Sequence, residues 1–324
     1  MRHEYQPPRR RSRLTRRGRL ALFLGMLLAV GAAALFPLMR GGEAPEKPRR
    51  LTIPEGWRAP QVYAAIDREL KLPAGSTKSV VPKAALALPA EAKGNPEGFL
   101  FPATYPVTSK STPASLLAYM VDTANRKLAT RAVADGAKAH GMTPYQTATL
   151  ASIIEAEAES RSDRGKVARV VHNRLARSMP LQMDSTINYA LGRSTVGTRL
   201  SETRIDSPFN TYERQGLPPT PIDSPGVEAM AAAVAPTPGD WLFFVTVKPG
   251  DTRFSATYEE HKKHVAEFNR IRAGAGAGAG ASASASASAS TGAGAGASTG
   301  PRSEAGSGTS EVAAGRARPG SRAG

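Results

Sequence analysis

Twenty consecutive residues without a charge, Leu20 to Met39, constrain this chain more than any other feature. At ~1.5 Å rise per residue such a run forms a helix of roughly 30 Å, the thickness of a bilayer's hydrocarbon core. Eight arginines precede it (Arg2, Arg9, Arg10, Arg11, Arg13, Arg16, Arg17 and Arg19). Positive charge resists translocation, so the N-terminus is expected in the cytoplasm and everything after Arg40 on the far side. Reading the run as a cleaved signal peptide would put the small-residue site Ala32-Ala33-Ala34 inside the apolar stretch, which is also longer than an ordinary signal core. With no cysteine in the chain, neither a lipoprotein anchor nor a disulfide framework is available.

Composition divides the rest. Residues 1–19 form a basic cytoplasmic segment, 20–39 the expected span, and 40–50, rich in Gly, Pro and basic residues, a linker. From 273 to 324 the chain runs into Gly-Ala and Ser-Ala repeats that cannot bury enough apolar surface to offset ordering entropy, so this tail is expected to be disordered. Of the formal charge of +16, +7 lies in the first nineteen residues and +2 in residues 273–324, leaving +7 across residues 20–272. A surplus of that size on an exported domain suits an anionic envelope polymer or a membrane surface. No zinc-finger spacing, P-loop or aromatic nucleic-acid motif supports a nucleic-acid partner.

The ordered part reads as an α+β, mainly helical domain with a C-terminal β-hairpin. Leu51 to Gly56 predicts a strand running into a turn, and Gln61 to Leu70 a helix. The stretch from Glu97 to Tyr105 is apolar and aromatic, broken by Gly98 and Pro102. One helix is expected over 113–139, with Leu116, Leu117, Met120, Val121 and Leu128 inward. Thr143-Pro144 opens another that runs to about Glu159, and a further one covers 164–177. Trp241 to Val247, a turn at Lys248 to Asp251, and Arg253 to Ser255 predict the hairpin, and Tyr258 to Arg272 a final helix.

Within Leu150-Ala-Ser-Ile-Ile-Glu-Ala-Glu-Ala-Glu159, three glutamates alternate along a predicted helix. At ~100° per residue, Leu150, Ile153, Ile154 and Glu157 share one stripe, whereas Glu155 and Glu159 point to the other side, as solvated surface. Glu157 therefore stands where an apolar residue belongs. Removal from water disfavours a charged carboxylate, which suits a general acid; the alternative is a buried salt bridge to Arg161 or Arg174. Downstream, Leu181 to Thr186 with Asn188 and Tyr189, Ser207 to Tyr212, and Gly216 to Ile222 are loop-like and rich in amides, hydroxyls and aromatic rings, the groups that bind sugars. Turn chemistry would account for each of them singly.

The sequence resembles the endolytic murein transglycosylase family, also called YceG-like. The matching elements are Leu51-Thr-Ile-Pro-Glu-Gly56, Glu97-Gly-Phe-Leu-Phe-Pro102, Ala151-Ser-Ile-Ile-Glu-Ala-Glu157, Asn173-Arg-Leu175, Leu181-Gln182, Asn210-Thr-Tyr212, Gly216-Leu-Pro-Pro219, Ser224-Pro-Gly226 and Asp240 to Val245. They keep their order over about residues 51–270.

The resemblance implies a bitopic membrane lyase that cuts peptidoglycan strands internally and leaves 1,6-anhydro-N-acetylmuramic acid ends. It implies Glu157 as the catalytic residue, acid and then base to the muramic 6-hydroxyl. Asn173, Gln182, Asp184, Thr186, Tyr189, Asn210 and Tyr212 are the implied glycan-binding residues. Relatives place a longer LysM-like region before the Ile-Pro-Glu-Gly segment, where here only residues 41–50 separate Arg40 from Leu51. Residues 51–108 are thus expected as a LysM-like remnant, and 109–272 as the catalytic domain.

Two rival classes compete with this reading. One is a lysozyme-like hydrolase with Asp184 as second carboxylate; the other is a non-catalytic envelope scaffold. The implied partners are peptidoglycan strands, the membrane and cell-wall synthases. His261 and His264, beside Glu260, sit at i, i+3 but lack a third ligand in register, and neither a metal nor a cofactor is expected.

Overall fold

The computed structural model describes residues 48–193 and 198–276. The expected span, the basic segment before it, most of the linker and nearly all of the tail lie outside the described residues. Among the described residues, no helix is long and apolar enough to cross a membrane.

The chain opens with strand β1 (Arg49–Thr52), helix α1 (Ala59–Glu69), the short α2 (Ser76–Val80) and strand β2 (Thr104–Val107). β1 and β2 pair antiparallel, Leu51 opposite Tyr105 and Arg49 opposite Val107. Period-2 alternation turns Leu51, Tyr105 and Val107 inward. They join the same core as Val62, Ile66, Phe99 and Leu100 and as the helices that follow, so residues 49–107 are built into the body of the fold.

Next come α3 (Pro113–Leu128) and α4 (Arg131–Ala139). The expected single helix over 113–139 is therefore two. The break falls at Thr130, whose extended backbone starts α4 while its hydroxyl donates back to Lys127 O at 2.8 Å. A threonine hydroxyl bonded back to the preceding turn, on an extended backbone, competes with continuation of the old helix.

Helix α5 (Pro144–Glu157) is the centre of the molecule, packed against α3, α4, α6 (Arg161–Ala176), α7 (Asp184–Ala190) and α8 (Val227–Val234). Its start follows the sequence signal: Pro144 takes the first position, Thr143 Oγ1 accepts from Gln146 N at 3.2 Å, and Gln146 Oε1 accepts from Thr143 N at 2.9 Å. The helix stops at Glu157, two residues before the expected end, because Ala158 is extended. Ser160 then caps α6 by accepting from Asp163 N.

Two further helices depart from expectation. Residues 184–190, read as loop, form α7, and α8 has no counterpart in the sequence reading. Strands β3 (Phe243–Lys248) and β4 (Asp251–Ser255) make the expected hairpin, with Phe244 opposite Phe254. The final helix α9 (Tyr258–Gly276) lies on it, burying Phe268 against Val245 and Val247.

Candidate active site

Glu157 ends α5 and is 8 % exposed. Its Oε1 accepts from the backbone N–H of Ser185 at 3.2 Å, in the first turn of α7. The first N–H groups of a helix have no partner within it, and a carboxylate there is stabilised by them and by the helix dipole. Arg161 and Arg174, the partners in the alternative salt-bridge reading, make their hydrogen bonds and ion pairs to other groups. Arg161 reaches Glu228. Arg174, 3 % exposed, donates to Leu242 O at 2.6 Å, Leu181 O at 2.7 Å, and Pro180 O and Gln182 Oε1 at 3.2 Å, and lies over the Phe243 ring. Burial lowers its pKa to about 10, and its donated bonds hold the segment that leads into α7 to the hairpin.

That segment is braced from the other side by Asn210-Thr-Tyr212. Gln182 N donates to Thr211 O at 2.9 Å, Met183 N to Thr211 Oγ1 at 3.0 Å, and the hydroxyls of Thr186 and Thr211 meet at 2.9 Å. Gln182 itself takes a left-handed backbone (φ 53°), which turns the chain into α7. Tyr212 Oη donates to Asp184 Oδ1 at 2.5 Å. Burial pushes Asp184 above the ordinary carboxylate range and the Tyr212 bond opposes it. The Tyr212 phenol is pushed up by burial and then by Asp184, with Glu157 adding a further negative neighbour.

The structure thus brings Glu157, Gln182, Asp184, Thr186 and Tyr212 to one end of α5 and α7. Asn210 supports them from the loop behind: its amide donates to Thr203 O and Ile205 O, and its Oδ1 accepts from Tyr212 N. Two of the expected residues face other groups. Asn173 donates to Gly239 O and Trp241 O, tying α6 to the approach to the hairpin. Tyr189 packs on Phe209, lies under Arg58 and donates to Glu97 Oε2 at 3.3 Å.

Glu97 is a residue the helical pattern could not flag. It accepts from Ala59 N at 2.9 Å, supplying the cap that α1 lacks with Arg58 in the capping position, and burial raises its pKa to about 7. Asp223, fully buried nearby, is raised well above the ordinary range by burial, with Glu155 and Glu97 adding to it.

Glu155 corrects an expectation. It is buried and paired with Arg164 at 2.8 Å, not solvated. The stripe argument assumes one wet face, and α5, covered all round by neighbouring helices, has almost none. Glu159 is exposed as expected. His261 is buried on the Phe243 ring, with burial lowering its pKa to about 4, and His264 Nδ1 meets Ser255 Oγ at 3.0 Å. His172 meets Ala233 O, again within the packing. Among the described residues, no group of three His, Cys, Asp or Glu is placed to hold a metal ion.

A carboxyl group at a helix end, oriented by a backbone N–H and flanked by a phenol and a second carboxyl, can donate and accept a proton at a bound hydroxyl or ether oxygen. The YceG-like family model matches residues 28–267. The chain is 38 % identical over 168 residues to the endolytic murein transglycosylase of Bacillus subtilis (strain 168), covering 52 % of this chain and 46 % of that one. It is 32 % identical over 260 residues to the endolytic murein transglycosylase of Streptococcus pneumoniae serotype 2 (strain D39 / NCTC 7466), covering 71 % and 47 %. It spans about half the length of the curated relatives it matches. The crystal structure of a yceG-like protein from Listeria monocytogenes superposes with a TM-score of 0.59 at 32 % identity, covering 67 % of this chain and 75 % of that one.

Proposed function

The chain belongs to the YceG-like family, and on that premise we propose that it is a membrane-anchored endolytic lytic transglycosylase acting on peptidoglycan. It cuts the bond from N-acetylmuramic acid to N-acetylglucosamine within a strand and leaves a 1,6-anhydro end. The observation that carries this reading is the placement of Glu157: a buried carboxyl group ending the central helix, oriented by Ser185 N–H.

In the neutral form of Glu157 the Ser185 N–H stays on Oε1 as the carbonyl oxygen, and the proton is carried on Oε2. Glu157 gives that proton to the bridging oxygen as the bond to C1 breaks. The carboxylate left behind takes the proton from the muramic 6-hydroxyl as O6 closes on C1. The internal hydroxyl replaces water, and one carboxyl group serves both steps where a hydrolase uses two. Asp184, held by Tyr212, is suited to hydrogen-bonding sugar beside Gln182, and its proton-donating partner argues against a free nucleophile.

Residues 20–39 would anchor the protein with its N-terminus in the cytoplasm, and the short linker would keep the site near the bilayer, where new strands emerge beside their synthases. Residues 51–108 stand as a LysM-like remnant and 109–272 as the catalytic domain; their shared core supports a remnant that braces the site rather than an independent module.

The test is digestion of purified peptidoglycan by the full-length protein in detergent, with mass analysis of strand ends. Anhydro ends are expected, with cleavage reduced at least about 10²-fold in Glu157→Gln. Full cleavage by that variant would remove Glu157 from the chemistry. Reducing ends would make the protein a hydrolase, with Asp184 as the second carboxylate, and no cleavage by the wild type would leave a glycan-binding scaffold.

A further inference from the structure

Glu155 stands two residues before Glu157 on the same helix and has both oxygens engaged. Oε1 accepts from Arg164 Nη2 at 2.8 Å and Oε2 from the backbone N–H of Gly226 at 3.0 Å, and the side chain is 6 % exposed. Arg164, 11 % exposed, extends Nη1 to Glu228 at 3.0 Å and lies 3.7 Å from Glu55. Four separate stretches converge here: the turn after β1, the last turn of α5, the first turn of α6 and the start of α8.

The approach to Gly226 is close. A Cβ there would overlap the Glu55 carboxylate, so any side chain at 226 would push Glu55 aside. The β1 turn is held against the same loop by two backbone bonds, Gly56 N to Ser224 O and Ser224 N to Trp57 O, both at 2.9 Å.

A helix's last turn has carbonyls without helical partners and is the part that frays first. In α5 that turn carries Glu157, and the chain leaves the helix immediately after it. We infer that the Arg164–Glu155 pair, closed by the Gly226 N–H with Glu55 packed against that glycine, is a positioning device that fixes the last turn of α5 and thereby the carboxyl group of Glu157. The inference rests on the acid/base role given to Glu157 above. Arg164 suits the task because its planar fork binds Glu155 and Glu228 at once, which a lysine ammonium on a flexible stem does not reproduce. A displacement of the reacting group by about 1 Å costs up to ~10² in rate.

The test uses the full-length protein in detergent and uncross-linked glycan strands, with kcat and KM measured separately and folded fraction followed by thermal melting. Arg164→Lys should lower kcat about tenfold or more with KM within about twofold, because substrate contacts are untouched. Gly226→Ala, which alters no charge, should lower kcat in the same way, and adding Glu55→Ala should recover most of that loss by removing the group the new methyl strikes. Wild-type kcat in folded Arg164→Lys, or a double variant as impaired as Gly226→Ala alone, overturns the inference. If the wild type gives anhydro ends and Glu157→Gln abolishes them, that outcome strikes the clamp alone; if those two controls fail, the acid/base assignment falls first.

Discussion

Replacing Glu97 by glutamine should make the protein more stable at about pH 8 and leave it nearly unchanged at about pH 4.5. Glu97 is 3 % exposed, caps α1 through Ala59 N–H and receives the Tyr189 hydroxyl. Burial raises its pKa to about 7 from an ordinary 4.5, against the opposing pull of Ala59 N–H, Tyr189 and Arg58. Between those values the folded state binds the proton and the unfolded chain does not, so stability falls as pH rises. Below 4.5 the proton is present in both states and the burial is cheap; above 7 the fold carries the full cost of a buried charge. Over that window the loss is about 3 kcal/mol, a large part of the roughly 5–15 kcal/mol that holds a domain together.

Glutamine imitates the protonated acid. Its carbonyl accepts from Ala59 and its amide replaces the acid O–H, with Tyr189 turning to accept. The variant should therefore gain about 3 kcal/mol at high pH and less than about 0.5 at low pH. Asp223 is raised in the same direction and Glu97 is one of its causes, so the difference between the two proteins reports Glu97 together with its charge coupling to Asp223. Urea unfolding in detergent, followed by fluorescence of the two tryptophans, Trp57 and Trp241, gives both curves. A stability difference that is the same at both pH values, or a less stable variant at pH 8, would refute the assignment of burial as the dominant cause.

Arg174→Met keeps the stem but leaves the Leu181 and Leu242 carbonyls without their donor, and should cost about 3–5 kcal/mol, read as a lower urea midpoint with unchanged slope. Gly98→Ala places a methyl at φ +80° against the Pro221 ring, and should destabilise by about 2 kcal/mol or more, read as a fall in melting temperature.

The parts of the fold legible in the sequence were those with a local cause. Thr143-Pro144 announces a helix start, Lys248-Pro-Gly-Asp251 a hairpin turn, and Leu51 with Thr52 a strand. What escaped depends on distant partners. α7 is only seven residues and has a methionine in its capping position; its start is held by Glu157 and Thr211, which lie 28 residues away on either side of Ser185 and Met183. Nothing in its own sequence separates it from a loop. The break between α3 and α4 was legible in principle, since Thr130 followed by a fresh helical pattern is a start signal that apolar periodicity overrode.

The glutamate pair shows where the helical-phase argument works and where it stops. Phase identified Glu157 as a buried carboxyl, and the structure buries it. The same reasoning made Glu155 a surface residue, and the structure buries that too. Burial alone therefore does not select between them; their partners do. Glu155 has a guanidinium and an N–H on its two oxygens, so both oxygens are committed to holding neighbouring segments. Glu157 meets α7's first turn beside Tyr212 and Asp184, among groups that can address a hydroxylated ligand. A spacing of two residues on a fully covered helix places one carboxylate in a structural clamp and the other in the site. The clamp needs Arg164 and Gly226, from segments about 10 and 70 residues away in sequence, so no local pattern could reveal it.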